Sequence, residues 1–333
     1  MAILSAALPT LLDLSKQFTE DGTPMPIAEL LHKLNPALDD IPFEAANSTT
    51  GHKIAARQDL PAVTLRRLNQ GVVPSKSQYG TILESIALFE AQGRVDEKLV
   101  KLSTNVPQFR LNQNKGHIEA MSQRFFQSMW YGDPDVNPDE FLGFAPRLDA
   151  IAAGGNLGFQ IIDAGGNDTD LTSIYLIGWG ENSVMGIYPP GTQAGLQHHD
   201  MGIELVDDGT GTGAMFRAYR DVFQLDAGIA VYDYRNMVRI ANIDVSSLTV
   251  DGSAGAKLID LLVFAVEQLR TRDGLNPVIY APPKVAAYLR QQITHRSNVW
   301  LSMGEVAGNR VTMFDGIPVR RVESILLNEA RIT

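Results

Sequence analysis

Apolar residues recur at three- and four-residue spacing at Ile118, Met121, Phe125 and Met129, with Phe126 and Trp130 beside them. That period predicts a long helix over about 106–130 with one buried stripe. Tyr131-Gly132-Asp133-Pro134 supplies its end, because glycine tolerates left-handed geometry and proline cannot continue the helical ladder. After a glycine-rich stretch at 152–166, β-type runs predict strands at 173–179, 185–188, 202–206, 214–223 and 229–242, the last two long. Beyond Asp251 the helical period returns at 256–270, with Leu258, Leu261, Leu262, Ala265 and Leu269 on one face. A strand at 277–281, a helix at 284–294 and a closing strand at 317–322 follow. The whole predicts an α+β protein, and no repeat period points to a solenoid.

The amino-terminal third has a different texture. Two short amphipathic patterns, Leu11-Leu12-Leu14 and Ile27-Leu30-Leu31-Leu34, flank the turn signal Asp21-Gly22-Thr23-Pro24. Their apolar faces are short for the length, which predicts a helical arm that needs a neighbour to cover it. Between Thr49 and Ala91, β-type stretches at 53–57, 62–68 and 79–89 surround polar turns at Asn69-Gln70-Gly71 and Pro74-Ser75-Lys76-Ser77. This reads as an extended hairpin. Arg57, Arg66, Arg67 and Lys76 give it a local basic excess suited to a complementary acidic surface.

Composition narrows the function classes. The 333 residues, 44% hydrophobic and 20% charged, are ample for a buried core. No apolar run approaches the roughly 20 residues of a membrane-spanning helix. The start is apolar from Met1 to Leu12 but has no basic region, and Pro9 and Asp13 interrupt it, so no signal peptide is expected. Zero cysteines exclude disulfides, thiolate metal sites and thiol nucleophiles, and fit synthesis in a reducing cytoplasm. A net charge of -10 argues against a dedicated nucleic-acid binder; it is compatible with enclosing nucleic acid but does not demonstrate it.

The candidate chemistry fails on spacing. Asp133, Asp135, Asn137 and Asp139 occupy alternating ligand positions of a calcium loop, yet Pro138 stands where the sharp-turn glycine belongs and Phe144 where the closing acid belongs. The consecutive residues His198-His199-Asp200 point to opposite faces of an extended chain and cannot easily share a metal. Gly209-Thr210-Gly211-Thr212-Gly213 follows Asp207-Asp208 and precedes a strand, the wrong context for a dinucleotide loop. Gly154-Gly155-Asn156-Leu157-Gly158 lacks the lysine of a phosphate loop. No catalytic, cofactor-binding or metal residue is expected, and a mixed α+β hydrolase centred on His198 is the enzyme alternative.

Several strings, taken in order, resemble the major capsid proteins of short-tailed bacteriophages in the Hong Kong 97 lineage. Thr50-Gly51-His52, Leu60-Pro61-Ala62-Val63-Thr64 and Asn69-Gln70-Gly71-Val72-Val73-Pro74 are similar to that family's extended loop. Pro138-Asp139-Glu140-Phe141 with Pro146-Arg147 resembles the segment after its spine helix. Gly178-Trp179-Gly180, Gly186-Ile187-Tyr188-Pro189, Tyr232-Asp233-Tyr234-Arg235 and Arg239-Ile240-Ala241-Asn242 resemble its central strands, and Gly316-Ile317-Pro318-Val319-Arg320 its terminal strand. Leu225 departs from the bulky aromatic expected near the strand turn.

The resemblance implies an amino-terminal arm at 1–48, an extended loop at 49–86, a peripheral domain at 87–250 built on the spine helix, and an axial α/β domain at 251–333. The long strands precede the axial segment, so a rewired strand order is expected. The implied function is a self-assembling icosahedral shell of pentamers and hexamers, located in the virion and assembled in the bacterial host cytoplasm. The implied partners are scaffold, portal and, in some shells, cement proteins, around double-stranded DNA held without sequence-specific binding. An encapsulin-like compartment enclosing cargo enzymes is the alternative of the same fold.

Overall fold

The computed structural model describes residues 35–49, 51–102, 105–151, 157–207, 213–250, 255–295, 301–306 and 309–333. The expected arm lies outside them up to residue 34. Among the described residues, β1 (Phe43–Ala45) and the hairpin strands β2 (Gly51–Asp59) and β3 (Gln78–Asp96) lead into the short helix α1 (Glu97–Leu102) and the long helix α2 (Val106–Tyr131). A turn of helix, α3 (Phe144–Arg147), precedes β4 (Ile161–Asp163), β5 (Leu171–Trp179), β6 (Val184–Tyr188), β7 (Gln197–Asp207), β8 (Met215–Val231) and β9 (Met237–Asp244). The chain closes with α4 (Leu258–Gln268), β10 (Asn276–Ala281), α5 (Pro283–His295), the pair β11 (Leu301–Val306) and β12 (Asn309–Phe314), and β13 (Ile317–Arg321).

Packing divides the chain into two units. The larger comprises Asn35–Ala87, Ser128–Ala194 and Ala227–Thr333, and the smaller holds Leu88–Gln127 and Gly195–Asp226. In the larger unit β5 lies between β9 and β10, antiparallel to both, with β13 parallel to β10 beyond. Every residue of β5 is buried, as a strand flanked on both edges and covered on its faces requires. Ile174, Leu176, Val238 and Ile240 of the strands share one core with Leu258, Leu262 and Ala265 of α4 and with Leu289 of α5. That core draws residues from both sides of position 250. In the smaller unit Phe109 packs with Val95, Leu99 and Val100, and Tyr219 closes the cluster.

A buried polar network fastens the end of the chain to the larger unit. Arg239 of β9 donates to Glu329 at 2.8 Å, to Ser173 Oγ at 3.0 Å, and to the carbonyls of Leu148 at 2.7 Å and Ala145 at 3.2 Å. The two charged side chains are only 5% and 6% exposed. Burial works against the charge on Arg239, but Tyr175 and Glu329 outweigh it and hold its pKa above the ordinary arginine value. Tyr131 donates to the other oxygen of Glu329 at 2.6 Å, and burial first and the neighbouring Tyr175 and Glu329 next push that phenol well above its ordinary range. Further along, Asn242 bonds both the N–H and the carbonyl of Ile332, each at 2.9 Å.

Several expectations need correction. Residues 62–68 have strand composition but form no strand, because no described segment of this chain pairs with their backbone as a ladder. The strands expected at 214–223 and 229–242 are cut elsewhere: β8 runs unbroken to Val231, and the break comes at Tyr234–Asn236, where Asp233 accepts the Arg235 N–H and caps a 3-10 turn. Gly228, which lies between the two expected strands, is needed inside β8 because a Cβ there would sit 2.5 Å from the Ser85 carbonyl. Gly132 ends α2 for want of room rather than for a left-handed turn; its Cβ would meet the Ser128 and Phe141 carbonyls, both at 2.5 Å. Of the stripe expected on α2, Met121, Phe125 and Met129 are buried and Ile118 is exposed. The β11–β12 hairpin was not predicted, since Ser302, Gly304, Arg310 and Thr312 dilute its alternation.

Candidate assembly surface

The β2–β3 hairpin has a fixed base and an unsupported tip. Its register runs from Gly51 opposite Ser85 to Asp59 opposite Gln78, with an irregularity between Arg57 and Asp59. At the base, Glu84 receives two parallel bonds from Arg147, at 2.8 and 2.5 Å, and Arg147 also donates to the Leu142 carbonyl. A bidentate guanidinium–carboxylate pair this buried fixes orientation as well as distance. His52 Nε2 and the Tyr232 hydroxyl, 2.5 Å apart, add a second tie.

Beyond Asp59 the chain leaves the ladder. Leu60, Val63, Leu65, Leu68, Val72 and Val73 are exposed, Leu65 at 96% and Val63 and Leu68 at 94%. The turn itself is ordinary, with Asn69 at φ 66° and the Gln70 N–H bonded to the Arg67 carbonyl at 3.2 Å. One cross-loop bond, from Ser75 Oγ to the Ala62 carbonyl at 3.0 Å, holds the two sides. Exposure of single apolar side chains is normal; a run of this length on one projecting segment marks an interaction surface. The structure places Arg66, Arg67 and Lys76 on the same segment, exposed, while Arg57 stays on β2 and donates to the Tyr79 hydroxyl at 3.2 Å.

In the smaller unit β7 and β8 form a two-stranded ribbon. His198 and Asp200, weighed from the sequence as metal ligands, instead join an ion-pair cluster. Arg110 of α2 donates to Asp221 at 2.9 and 3.1 Å and reaches Asp200 at 2.9 Å, and His198 Nε2 donates to Asp221 at 2.8 Å while its ring stacks on Phe223. His199 is exposed and outside the cluster. The Arg110 bond holds the Asp200 carboxyl below its ordinary value, against a smaller opposing effect of burial. A depressed carboxyl contributes stability above its unfolded pKa of about 3.9 and loses it as pH falls through the lower folded value. Arg110→Ala is therefore expected to raise the Asp200 pKa toward its ordinary value and to weaken the acid dependence of stability below about pH 4. Carboxyl titration by NMR checks the first outcome and thermal melts between acid and neutral pH check the second.

Asp133, Asp135, Asn137 and Asp139 form successive side-chain-capped turns: Asp133 accepts the Asp135 N–H at 3.0 Å, and Asn137 accepts the Asp139 N–H at 3.3 Å. Of the two glycine motifs, 208–212 and 152–156 lie outside the described residues, but a strand, β8, follows the first. Three carboxylates do converge elsewhere, at Asp168, Asp170 and Asp244, within 4.8 Å of one another. Sequence spacing could not reveal them because β5 and β9 bring them together from distant positions. Asp244 already accepts bonds from Ser246 and Ser247, and Asp168 from Thr169.

The family model described as Major capsid protein GP7 matches residues 19–333. A chain from the cryo-EM structure of bacteriophage Epsilon15 is 32% identical and superposes with a TM-score of 0.81, covering 100% of this chain and 99% of that one. The bacteriophage JBD30 capsid is 9% identical with a TM-score of 0.48 over 98% of this chain and 100% of its own. The SrpI encapsulin of Synechococcus elongatus is 13% identical with a TM-score of 0.44 over 66% and 91%. The last two are too dissimilar to carry an argument. No curated protein matches the chain. With a matched family model over nearly its whole length and a phage structure that superposes from end to end, this chain belongs to the family of the phage major capsid protein GP7.

Proposed function

We propose that copies of this major capsid protein assemble into a closed icosahedral shell, as pentamers and hexamers, around a double-stranded DNA genome. The observation that carries the reading is the β2–β3 hairpin: an anchored base and a tip whose apolar side chains are exposed and find no cover among the described residues. Leaving six apolar side chains in water forgoes about 1.5–3 kcal/mol each, a cost that contact with a neighbour recovers. On this reading residues 49–86 are the extended loop, α2 is the spine helix, the segments within 87–250 form the peripheral domain and those within 251–333 the axial one. Residues 1–48 are the arm. Scaffold and portal proteins, and a cement protein in some shells, are the partners such a subunit needs, in the host cytoplasm before release of the virion. Electron microscopy of the purified protein tests the central claim: closed icosahedral particles support it, and a monodisperse monomer at high concentration refutes it.

The charge of the tip gives a second test. Arg66 and Arg67 lie on a chain of net charge -10, so neighbouring copies offer them an acidic partner. Reversing both to Glu is expected to slow assembly most at low salt, where the screening length is about 30 Å at 0.01 M against about 8 Å at physiological ionic strength. Light scattering during assembly at the two salt concentrations reads the effect, and equal rates for variant and parent at low salt would count against it.

A further inference from the structure

The larger unit carries an apolar knob and an apolar recess that its own chain does not join. On α4, Leu258, Leu262, Ala265 and Val266 enter the core, while Val263 and Phe264 turn outward, Phe264 at 63% exposure, with Glu267 on the same face. Beside α5 a recess of about 170 Å³ is lined by Ala286, Ala287 and Leu289 and by Val319 of β13, with Arg290 and Arg321 supplying its charge. An apolar cavity of about 150 Å³ accepts benzene, so this space suits one phenyl ring. Resting on the shell reading above, we infer that Phe264 of one copy seats in the recess beside α5 of the next copy around a ring.

Charge selects a second copy as the occupant and fixes which surfaces meet. The α4 segment holds Asp260 and Glu267 and no Lys or Arg, whereas α5 holds Lys284 and Arg290 and no Asp or Glu. Two α4 faces packed together would set Glu267 against Glu267, and two α5 faces would set Lys284 and Arg290 against themselves. Packing α4 on α5 instead matches ring to recess and acid to base. The charges at the two features are loosely held in the single chain: Glu267 is 77% exposed with Arg272 at 3.7 Å, and Arg321 is 55% exposed with Glu323 at 3.6 Å. Exposed pairs of that kind contribute little, so a neighbour's charge can replace either partner. Within the sheet, β9 under α4 and β13 under α5 lie on opposite sides of the β5–β10 pair. The contact therefore joins two different surfaces, head to tail, and repetition of such a contact about an axis closes a ring. One aromatic anchor in a desolvated pocket is the kind of group that dominates an interface.

The chain has no cysteine, so introduced thiols report alone. Chains with Phe264→Cys and chains with Ala287→Cys are mixed, assembled, treated with a short bismaleimide and run on a denaturing gel. Because each chain carries one thiol, a covalent dimer records a contact between copies and not within one. Dimer is expected from the mixture, and monomer from either chain alone and from Phe264→Cys mixed with Val136→Cys, another exposed site. In mixed particles, no dimer from this pair nor from Phe264→Cys with Arg321→Cys overturns the inference, as does an equal yield from Phe264→Cys alone or from the Val136 mixture. Failure of the parent chain to form any particle overturns the shell reading instead. Hydroxyl-radical footprinting of the unsubstituted protein gives an independent measure that needs no variant to assemble. Oxidation of the Phe264 ring is expected to be at least about fivefold slower in particles than in free subunits, as burial at the centre of an interface requires, and equal rates overturn the inference.

Discussion

Replacing residues 60–77 with a two-residue Asn-Gly turn is expected to leave a folded subunit that builds no shells. Asp59 and Gln78 face each other at the end of the ladder, so a tight turn can join them without disturbing the register below. The excised side chains are exposed and contribute nothing to either core. Shortening the loop about ninefold removes roughly 2 kcal/mol of closure entropy, at about 0.6 kcal/mol per halving, so the melting temperature should hold or rise slightly. Assembly is another matter. Losing the burial of even three Leu or Val side chains at each contact sacrifices about 5 kcal/mol, which raises the concentration needed for association on the order of a thousandfold or more. Sedimentation velocity beside a thermal melt separates the two effects. Normal shells at the parent's assembly concentration would show that the loop is not an assembly element.

The second large effect is on the fold itself. Glu329→Ala removes the carboxylate that faces Arg239 and leaves a guanidinium buried among carbonyls with no counter-charge. Breaking a buried pair from one side costs about 3–5 kcal/mol, because the remaining charge cannot shed its proton at any accessible pH. A chain of this size should lose on the order of 10 °C in melting temperature, at roughly 2–4 °C per kcal/mol. Arg239→Met with Glu329→Leu, which removes both charges and keeps volume, should recover much of that loss. Calorimetry on the single and double variants decides it: a single variant that melts with the parent would show the pair to be idle.

The elements set by local period were readable before the fold was known. Helices α2, α4 and α5, and strands β5, β6, β10 and β13, stand where spacing put them, because each has a strong apolar face that any neighbour will bury. What failed depended on partners. Residues 62–68 have a strand's composition without a strand's neighbour, and β8 continues through Gly228 because of a backbone that approaches from far along the sequence. The assembly surface was half legible. Arg66, Arg67 and Lys76 could be counted from the sequence, but the exposure of Leu65 and the clamp of Arg147 on Glu84 are facts of three dimensions. The approach of Asp168, Asp170 and Asp244 was hidden for the same reason.

The segment that carries Ser324, Glu329 and Ile332 also acts as a latch that couples distant parts of the larger unit. Its bonds to Trp130, Arg239 and Asn242 reach the end of α2 and two positions of β9. A chain cut before Glu329 leaves Arg239 uncompensated in a buried site, yet keeps every residue of the hairpin. Such a chain is expected to display the loop on a unit too unstable to hold it, so possession of the loop alone does not make a competent subunit.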